Sequence, residues 1–124
     1  MRVAIEQPFQ SIRPYVIDEE HPEREALASM LLLDCNDQEE SYLADIAKAE
    51  AGQPVLDNIN HFLWLYLYPE IAVLEEYQEE YLRNPDAQGP PRCIFLPLAE
   101  VKALIHSWLE AKRLFYAQRA AGAG

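Results

Sequence analysis

The most constraining feature of the sequence is the alternation of aromatic residues and leucines in "HFLWLYLY" at residues 61–68. A period of two places the aromatic side chains on one face of a strand and the leucines on the other. Because both faces are then apolar, the pattern predicts a central strand that is covered on both sides.

The residues that follow predict a hairpin. Pro69-Glu70 can turn the chain, and "IAVLEEY" at 71–77 alternates as an antiparallel partner strand would. The alternation gives way to acid at Glu75 and Glu76, so we expect the sheet core to end there.

The C-terminal part predicts a strand and a long helix. "RCIFLPL" at 92–98 has the composition of a strand that leads directly into the helix. Apolar residues at helical spacing define the buried face of that helix: Leu98, Val101, Leu104, Ile105, Trp108 and Phe115. We expect residues 120–124, "AAGAG", to form a flexible tail.

The first half of the chain predicts two short strands and two helices. The strands are expected at 2–6 and 14–18, and the first helix from Pro22 to about Leu33. A second helix is predicted to follow Asn36.

Local residues suggest how the second helix begins and ends. Asn36 with Glu39 three residues later resembles a capping arrangement, and Gly52 followed by Pro54 is a stop signal. Two further segments, "LDNIN" at 56–60 and "NPDAQGPP" at 84–91, are predicted as a turn and a loop.

These elements predict the α+β class: a small, mainly antiparallel sheet with packed helices, including a long C-terminal helix. A chain of 124 residues with half of them apolar has the size and composition of one domain, which we place at residues 1–119. No internal repeat is present.

Charge is the strongest compositional signal. The net charge is −11, and it is segregated: residues 1–91 hold 19 acids and 5 bases, whereas residues 92–124 hold 2 acids and 5 bases. Such a balance disfavours nucleic acid and anionic membranes as partners and favours a basic protein.

The inventory of catalytic groups is small. His21, His61 and His106 are scattered without metal-ligand spacing, and no glycine-rich phosphate loop is present. Cys35 and Cys93 form no CxxC motif and are expected to be buried thiols. We therefore predict no enzyme activity, no cofactor and no metal. The alternative is a small enzyme with a cleft in which His61 meets a carboxylate such as Asp57.

Two dense acidic clusters, at 18–25 and 75–83, supply the candidate contacts with a basic partner. If the second cluster is helical, its tyrosines share one face and could anchor an interface. The alternatives are that each cluster is a solvated surface and that the tyrosines cover the sheet edge. The candidate partner-binding residues are Asp18, Glu19, Glu20, Glu75, Glu76, Tyr77, Glu79, Glu80 and Tyr81.

The order "NINHFLWLYLYPEIAVLEEY", a loop, and "CIFLPLAEVKALIHSWLEAKRLF" resembles the small immunity proteins of bacterial polymorphic toxin and contact-dependent growth inhibition systems. The resemblance covers about residues 58–116 and rests on Asn60 at the head of a strand, the acids Glu75 and Glu76, and Trp108 in the last helix. It implies a small cytoplasmic protein that binds and blocks one cognate toxin, and it transfers no binding residue.

Together these observations predict an immunity protein that covers the active site of a basic toxin domain, a nuclease by preference, with an acidic surface. We expect a monomer with no nucleic acid and no membrane as partners. The cytoplasm is the expected location, because the chain has no apolar run of about eighteen residues and "MRVAIEQPFQ" is not a secretory signal. The alternative is an acidic secretion chaperone, which would act as a dimer through apolar grooves.

Overall fold

The protein is described from a computed structural model that covers residues 1–7, 11–59, 63–76 and 92–123. It is an α+β fold, as the sequence predicts, with two antiparallel sheets and a long C-terminal helix. The elements in chain order are β1 (Arg2–Glu6), β2 (Arg13–Ile17), a 3-10 turn (Pro22–Arg24), α1 (Glu25–Cys35), α2 (Glu39–Glu50), β3 (Val55–Ile59), β4 (Leu63–Leu67), β5 (Ile71–Glu76), β6 (Cys93–Pro97) and α3 (Leu98–Ala123).

The larger sheet has the strand order β3-β4-β5-β6, and β1 and β2 form a separate hairpin. The predicted central strand and its antiparallel partner are confirmed, because β4 lies between β3 and β5. The predicted turn at 56–60 is wrong for residues 56–59, and residue 60 lies outside the described residues. Residues 56–59 belong to β3, whose pairing with β4 overrides the turn preference of its Asp and Asn residues and leaves an irregular register between Val55 and Asn58.

The core lies between the helices and one face of the four-stranded sheet, which we call the inner face. The helices α1 and α3 pack against it. Its side chains alternate along three strands and are all buried: Leu63, Leu65, Leu67, Ala72, Leu74, Ile94 and Leu96. This burial of leucines is the main stabilising term of the fold.

Helix α3 begins directly after β6 and buries the predicted stripe. Its first residue donates its backbone N–H to the carbonyl of Glu70 at 3.0 Å, which ties the helix start to the β4–β5 turn. Trp108 is fully buried, whereas Phe115 is partly buried. The helix continues to Ala123 and so includes residues 120–123 of the predicted tail, because these residues are mainly alanine, the best helix former.

The junction of α1 and α2 differs from the prediction. Helix α1 ends at Cys35, two residues beyond Leu33, and α2 begins at Glu39 with Gln38 in the cap position, so Asn36 is not the cap. The predicted stop is confirmed: Gly52 has φ +94°, a conformation that favours glycine.

The two cysteines differ in burial. Cys35 is buried in the core, as predicted, and burial, with a further contribution from the charge of Glu39, raises the pKa of its thiol to about 12. Cys93 is exposed, so the prediction of a second buried thiol is wrong. The strand alternation of β6 explains the difference, because it turns Ile94 and Leu96 inward and Cys93 outward.

Within the described parts of the chain, no helix is both long enough and apolar enough to cross a membrane.

Candidate functional site

The opposite side of the four-stranded sheet, which we call the outer face, is the strongest candidate for a binding surface. The side chains that face outward follow from the register of β4, β5 and β6, because residues directly opposite each other share a face. They are Trp64, Tyr66, Ile71, Val73, Glu75, Cys93, Phe95 and Pro97.

The outer face is mainly apolar and is exposed in part. Phe95 is 57% exposed, and Ile71 is also exposed, while Trp64, Tyr66 and Val73 are partly buried. The sequence predicted cover on both sides of β4: the leucine side is fully buried, whereas Trp64 and Tyr66 on the aromatic side are only partly buried. A contiguous apolar patch at a protein surface is typical of an interaction site.

Glu75 places a negative charge within this patch. Its position is opposite Trp64 on β4 and opposite Cys93 on β6. Partial burial and then the charge of Glu75 raise the pKa of both the Tyr66 hydroxyl and the Cys93 thiol. The carboxylate therefore acts on its aromatic and thiol neighbours, which stay neutral at pH 7.

Two aromatic rings on β4 support one another beside that carboxylate. The centroids of Trp64 and Tyr66 lie 6.4 Å apart with an interplanar angle of 69°, which is the edge-to-face geometry that aromatic pairs prefer. Rigid aromatic side chains beside a carboxylate can accept a cation, by stacking and by ion pairing.

Glu76, which the sequence proposed as a partner contact, is already used within the protein. Its side chain is 14% exposed and binds the guanidinium of Arg92 through two bonds, Nε to Oε2 at 2.9 Å and Nη2 to Oε1 at 2.8 Å. This bidentate pair joins the end of β5 to the residue before β6. Arg92 neutralises the charge of Glu76 locally, which disfavours a role for Glu76 in attracting a basic partner.

Asp18 is also structural. It is only 5% exposed, its carboxylate accepts the backbone N–H of His21 at 2.9 Å, and its own N–H donates to Glu25 at 3.0 Å. These bonds hold the turn that leads into α1, so the polar groups of Asp18 are engaged within the protein, and its contact with a partner stays a prediction. Glu19 and Glu20 are exposed and stay available for a partner.

The remaining candidates, Tyr77, Glu79, Glu80 and Tyr81, lie outside the described residues, as does His61.

The sequence did not predict a polar cluster that joins the α1–α2 junction to α3. The Lys112 ammonium donates to Asn36 Oδ1 at 3.0 Å and to the Glu39 carboxylate, and it lies 5.2 Å from the centroid of the Trp108 ring. The Trp108 indole N–H also donates to Asn36 Oδ1, at 3.3 Å. The available signal was the four-residue spacing of Trp108 and Lys112, which puts both on one helix face.

The electrostatics of this cluster are those of a structural ion pair. Burial, the largest single influence, raises the pKa of Glu39, but hydrogen bonds from Lys112 and from the backbone of Glu39 and Asp37 outweigh it and lower the pKa overall. A lysine bound to a carboxylate in this way is not free to act as a nucleophile or base.

Among the described residues, no group of three or more His, Cys, Asp and Glu side chains could hold a metal ion. His21 and His106 are both exposed and lie on separate elements. The absence of catalysis stays a prediction.

A scan of protein-family models, a search of curated proteins and a search of solved structures each found no match to this chain.

Proposed function

We propose that this chain is an immunity protein, which binds a cognate bacterial toxin domain and neutralises it without catalysing a reaction. The toxin domain is basic, and a nuclease fits best, because a nuclease attracts phosphate with basic residues around its catalytic groups. An acidic protein surface can cover such a site and exclude the nucleic acid. The protein acts in the cytoplasm, where such a toxin would reach its substrate.

The observation that carries the proposal is an excess of acid that the protein does not neutralise itself. The net charge is −11. Within the described chain, six bases pair with acids of the same chain: Arg13, Lys48, Arg92, Lys102, Lys112 and Arg113. Exposed carboxylates such as Glu19, Glu20 and Glu40 then give the surface a negative field, which speeds association with a basic partner.

The experiment is co-expression with the C-terminal domain of the protein encoded by the adjacent gene, because immunity genes ordinarily adjoin their toxin genes. The toxin domain alone should arrest growth of the host cells, and this protein should restore it. The purified pair should form a stable complex whose association rate falls as salt is added, because salt screens steering charges. A toxin domain that stays fully active with an excess of this protein would contradict the proposal.

A secretion chaperone is the second candidate, and the open outer face favours it, since chaperones hold effectors through exposed apolar surfaces. The two candidates differ in assembly. A chaperone of this kind is a dimer, whereas a protein with a net charge of −11 is repelled by its own copies. Sedimentation equilibrium separates them: a monomer supports immunity, and an obligate dimer supports the chaperone.

A further inference from the structure

The outer face carries two parallel rows of side chains that cross three strands. One row consists of Tyr66, Val73 and Phe95, and the other of Trp64, Glu75 and Cys93. Directly opposite residues in antiparallel strands have Cβ atoms about 4.5–5.5 Å apart, so each row is continuous. The rows form one patch, with Trp64 and Tyr66 on β4, Phe95 on β6, and Glu75 in the middle of one row.

The burial of the described elements does not account for the aromatic side chain at Phe95. On β6, Leu96 is fully buried and supports the core, whereas its neighbour Phe95 is 57% exposed. A small polar β-branched residue such as threonine would suit an exposed strand position as well as an aromatic residue does. Aromatic residues are instead enriched where one protein binds another, because they offer large rigid contact areas.

The charge on the patch selects the chemistry of the partner. Glu75 is the one charged side chain in the two rows, and within the described part of the chain it has no hydrogen-bond or ion-pair partner. Burying such a carboxylate under a purely apolar surface would be costly. An arginine resolves this, because its guanidinium can stack on an aromatic ring and bind a carboxylate with two hydrogen bonds.

A second copy of the chain does not fit the patch. Each copy has a net charge of −11, and a symmetric pairing of outer faces would bring two Glu75 carboxylates into one interface. Complementarity therefore requires a partner with positive charge.

We propose that the outer face is the surface that binds the toxin domain, and that its occupant is an apolar patch of that domain bearing an arginine that pairs with Glu75. The inference rests on the proposed function and deepens it, because it names the contact face and the chemistry of the partner. Glu19 and Glu20 then contribute to steering at a distance, and the outer face supplies the bound contacts.

The first test compares single variants in binding to the toxin domain encoded by the adjacent gene. Phe95→Thr removes the ring and introduces a β-branched residue, which strands favour, and Glu75→Lys reverses the charge. Each should weaken binding by about thirtyfold or more, as the loss of a central interface residue does. The matched controls are Tyr15→Thr, at an exposed strand position of the other sheet, and Glu110→Lys, at an exposed position of α3, and their equilibrium affinities should stay within about fivefold of wild type.

The second test uses Cys93 as a native reporter. Because Cys93 is exposed on the outer face and Cys35 is buried, a maleimide should label Cys93 selectively in the folded protein. The bound toxin domain should slow this labelling by about tenfold or more, since a covered thiol reacts only when the complex opens.

The outcomes separate the inference from the proposed function. If wild type does not bind the toxin domain, the proposed function fails and the inference fails with it. If wild type binds but Phe95→Thr and Glu75→Lys bind equally well and Cys93 stays reactive, the contact face is elsewhere and only the inference is overturned. Protection of Cys93 that rises with protein concentration in the absence of toxin would assign the face to a second copy, which also overturns it.

Discussion

The two faces of the four-stranded sheet are made by the same strands, yet they serve different ends. On β6, Leu96 points into the core and Phe95 points away from it, one residue apart. The inner face is explained by folding, because its leucines leave water when the helices pack on it. Phe95 on the outer face stays 57% exposed and gains less in this way, so folding alone does not explain its aromatic side chain.

The glutamates show the same division. Glu39 binds Lys112 and Glu76 binds Arg92, so each has a structural partner. Glu75, next to Glu76 in the chain, points to the outer face and has no such partner within the described residues. A cluster of acids in a sequence therefore combines structural and free charges, and only the fold separates them.

The largest loss of stability is expected in the core, at Trp108 of α3. Trp108→Ala should lower the free energy of unfolding by about 3–5 kcal/mol, because it leaves a cavity in the core and removes the indole N–H from Asn36. Urea denaturation measures this. Tyr116→Ala, on the exposed side of the same helix, should stay within about 0.5 kcal/mol of wild type. Equal losses in the two variants would show that the buried face of α3 is wrongly assigned.

The second largest loss of stability is expected in the polar cluster that joins the α1–α2 junction to α3. Lys112→Met removes the cation that binds the buried Glu39 and should cost about 2–3 kcal/mol, because a buried carboxylate is left without its ion partner. The double variant Lys112→Met with Glu39→Gln should recover part of that loss. Strict additivity of the two single substitutions would contradict a coupled pair.

Lowering the pH should remove the contribution of Glu39 to the free energy of unfolding. Its pKa is lower in the folded protein than the ordinary value of 4.5, so its stabilisation is complete above that ordinary value and is lost as the pH falls through the folded pKa. The difference in unfolding free energy between wild type and Glu39→Gln should therefore shrink as the pH falls below 4.5 and through the folded pKa. Comparison with the variant isolates Glu39 from the exposed Glu6 and Glu110, whose pKa values are also lowered. A difference that stays constant down to pH 2 would contradict the assignment.

The smallest effect on stability is expected at Glu75. Glu75→Gln should change the free energy of unfolding by less than about 0.5 kcal/mol, because no described residue pairs with its carboxylate. The same substitution at Glu39 is the matched comparison and should destabilise the protein measurably. A loss at Glu75 as large as that at Glu39 would remove the distinction between structural and free acids.

Much of the fold could be predicted from the sequence, because the periods of the apolar residues specify it. The alternation at 63–67 and the helical stripe ending at Trp108 each identify the buried face of an element. Local turn chemistry was less reliable: the Asp and Asn residues of β3 were overruled by pairing with β4, and Asn36 serves Trp108 and Lys112 rather than a helix cap.

The candidate site was only partly predictable for a related reason. The sequence indicates acid beside apolar residues, but it does not show which carboxylates are already bonded. Asp18 proved to hold a turn and Glu76 to hold Arg92, and both depend on contacts that appear only in the folded chain. The sequence did not show that the aromatic side of β4 is only partly buried, because an apolar strand face predicts burial whether it lies under a helix or binds a partner.

The measurement that tests the central claim most directly compares Leu96→Ala with Phe95→Thr, recording both the free energy of unfolding and the affinity for the toxin domain. We expect Leu96→Ala to lose about 2–5 kcal/mol of stability while its folded fraction binds as wild type does. Phe95→Thr should stay within about 1 kcal/mol in stability and lose about thirtyfold or more in affinity. The account would be contradicted if Phe95→Thr destabilised the protein as much as Leu96→Ala and left binding unchanged, because the outer face would then belong to the fold alone.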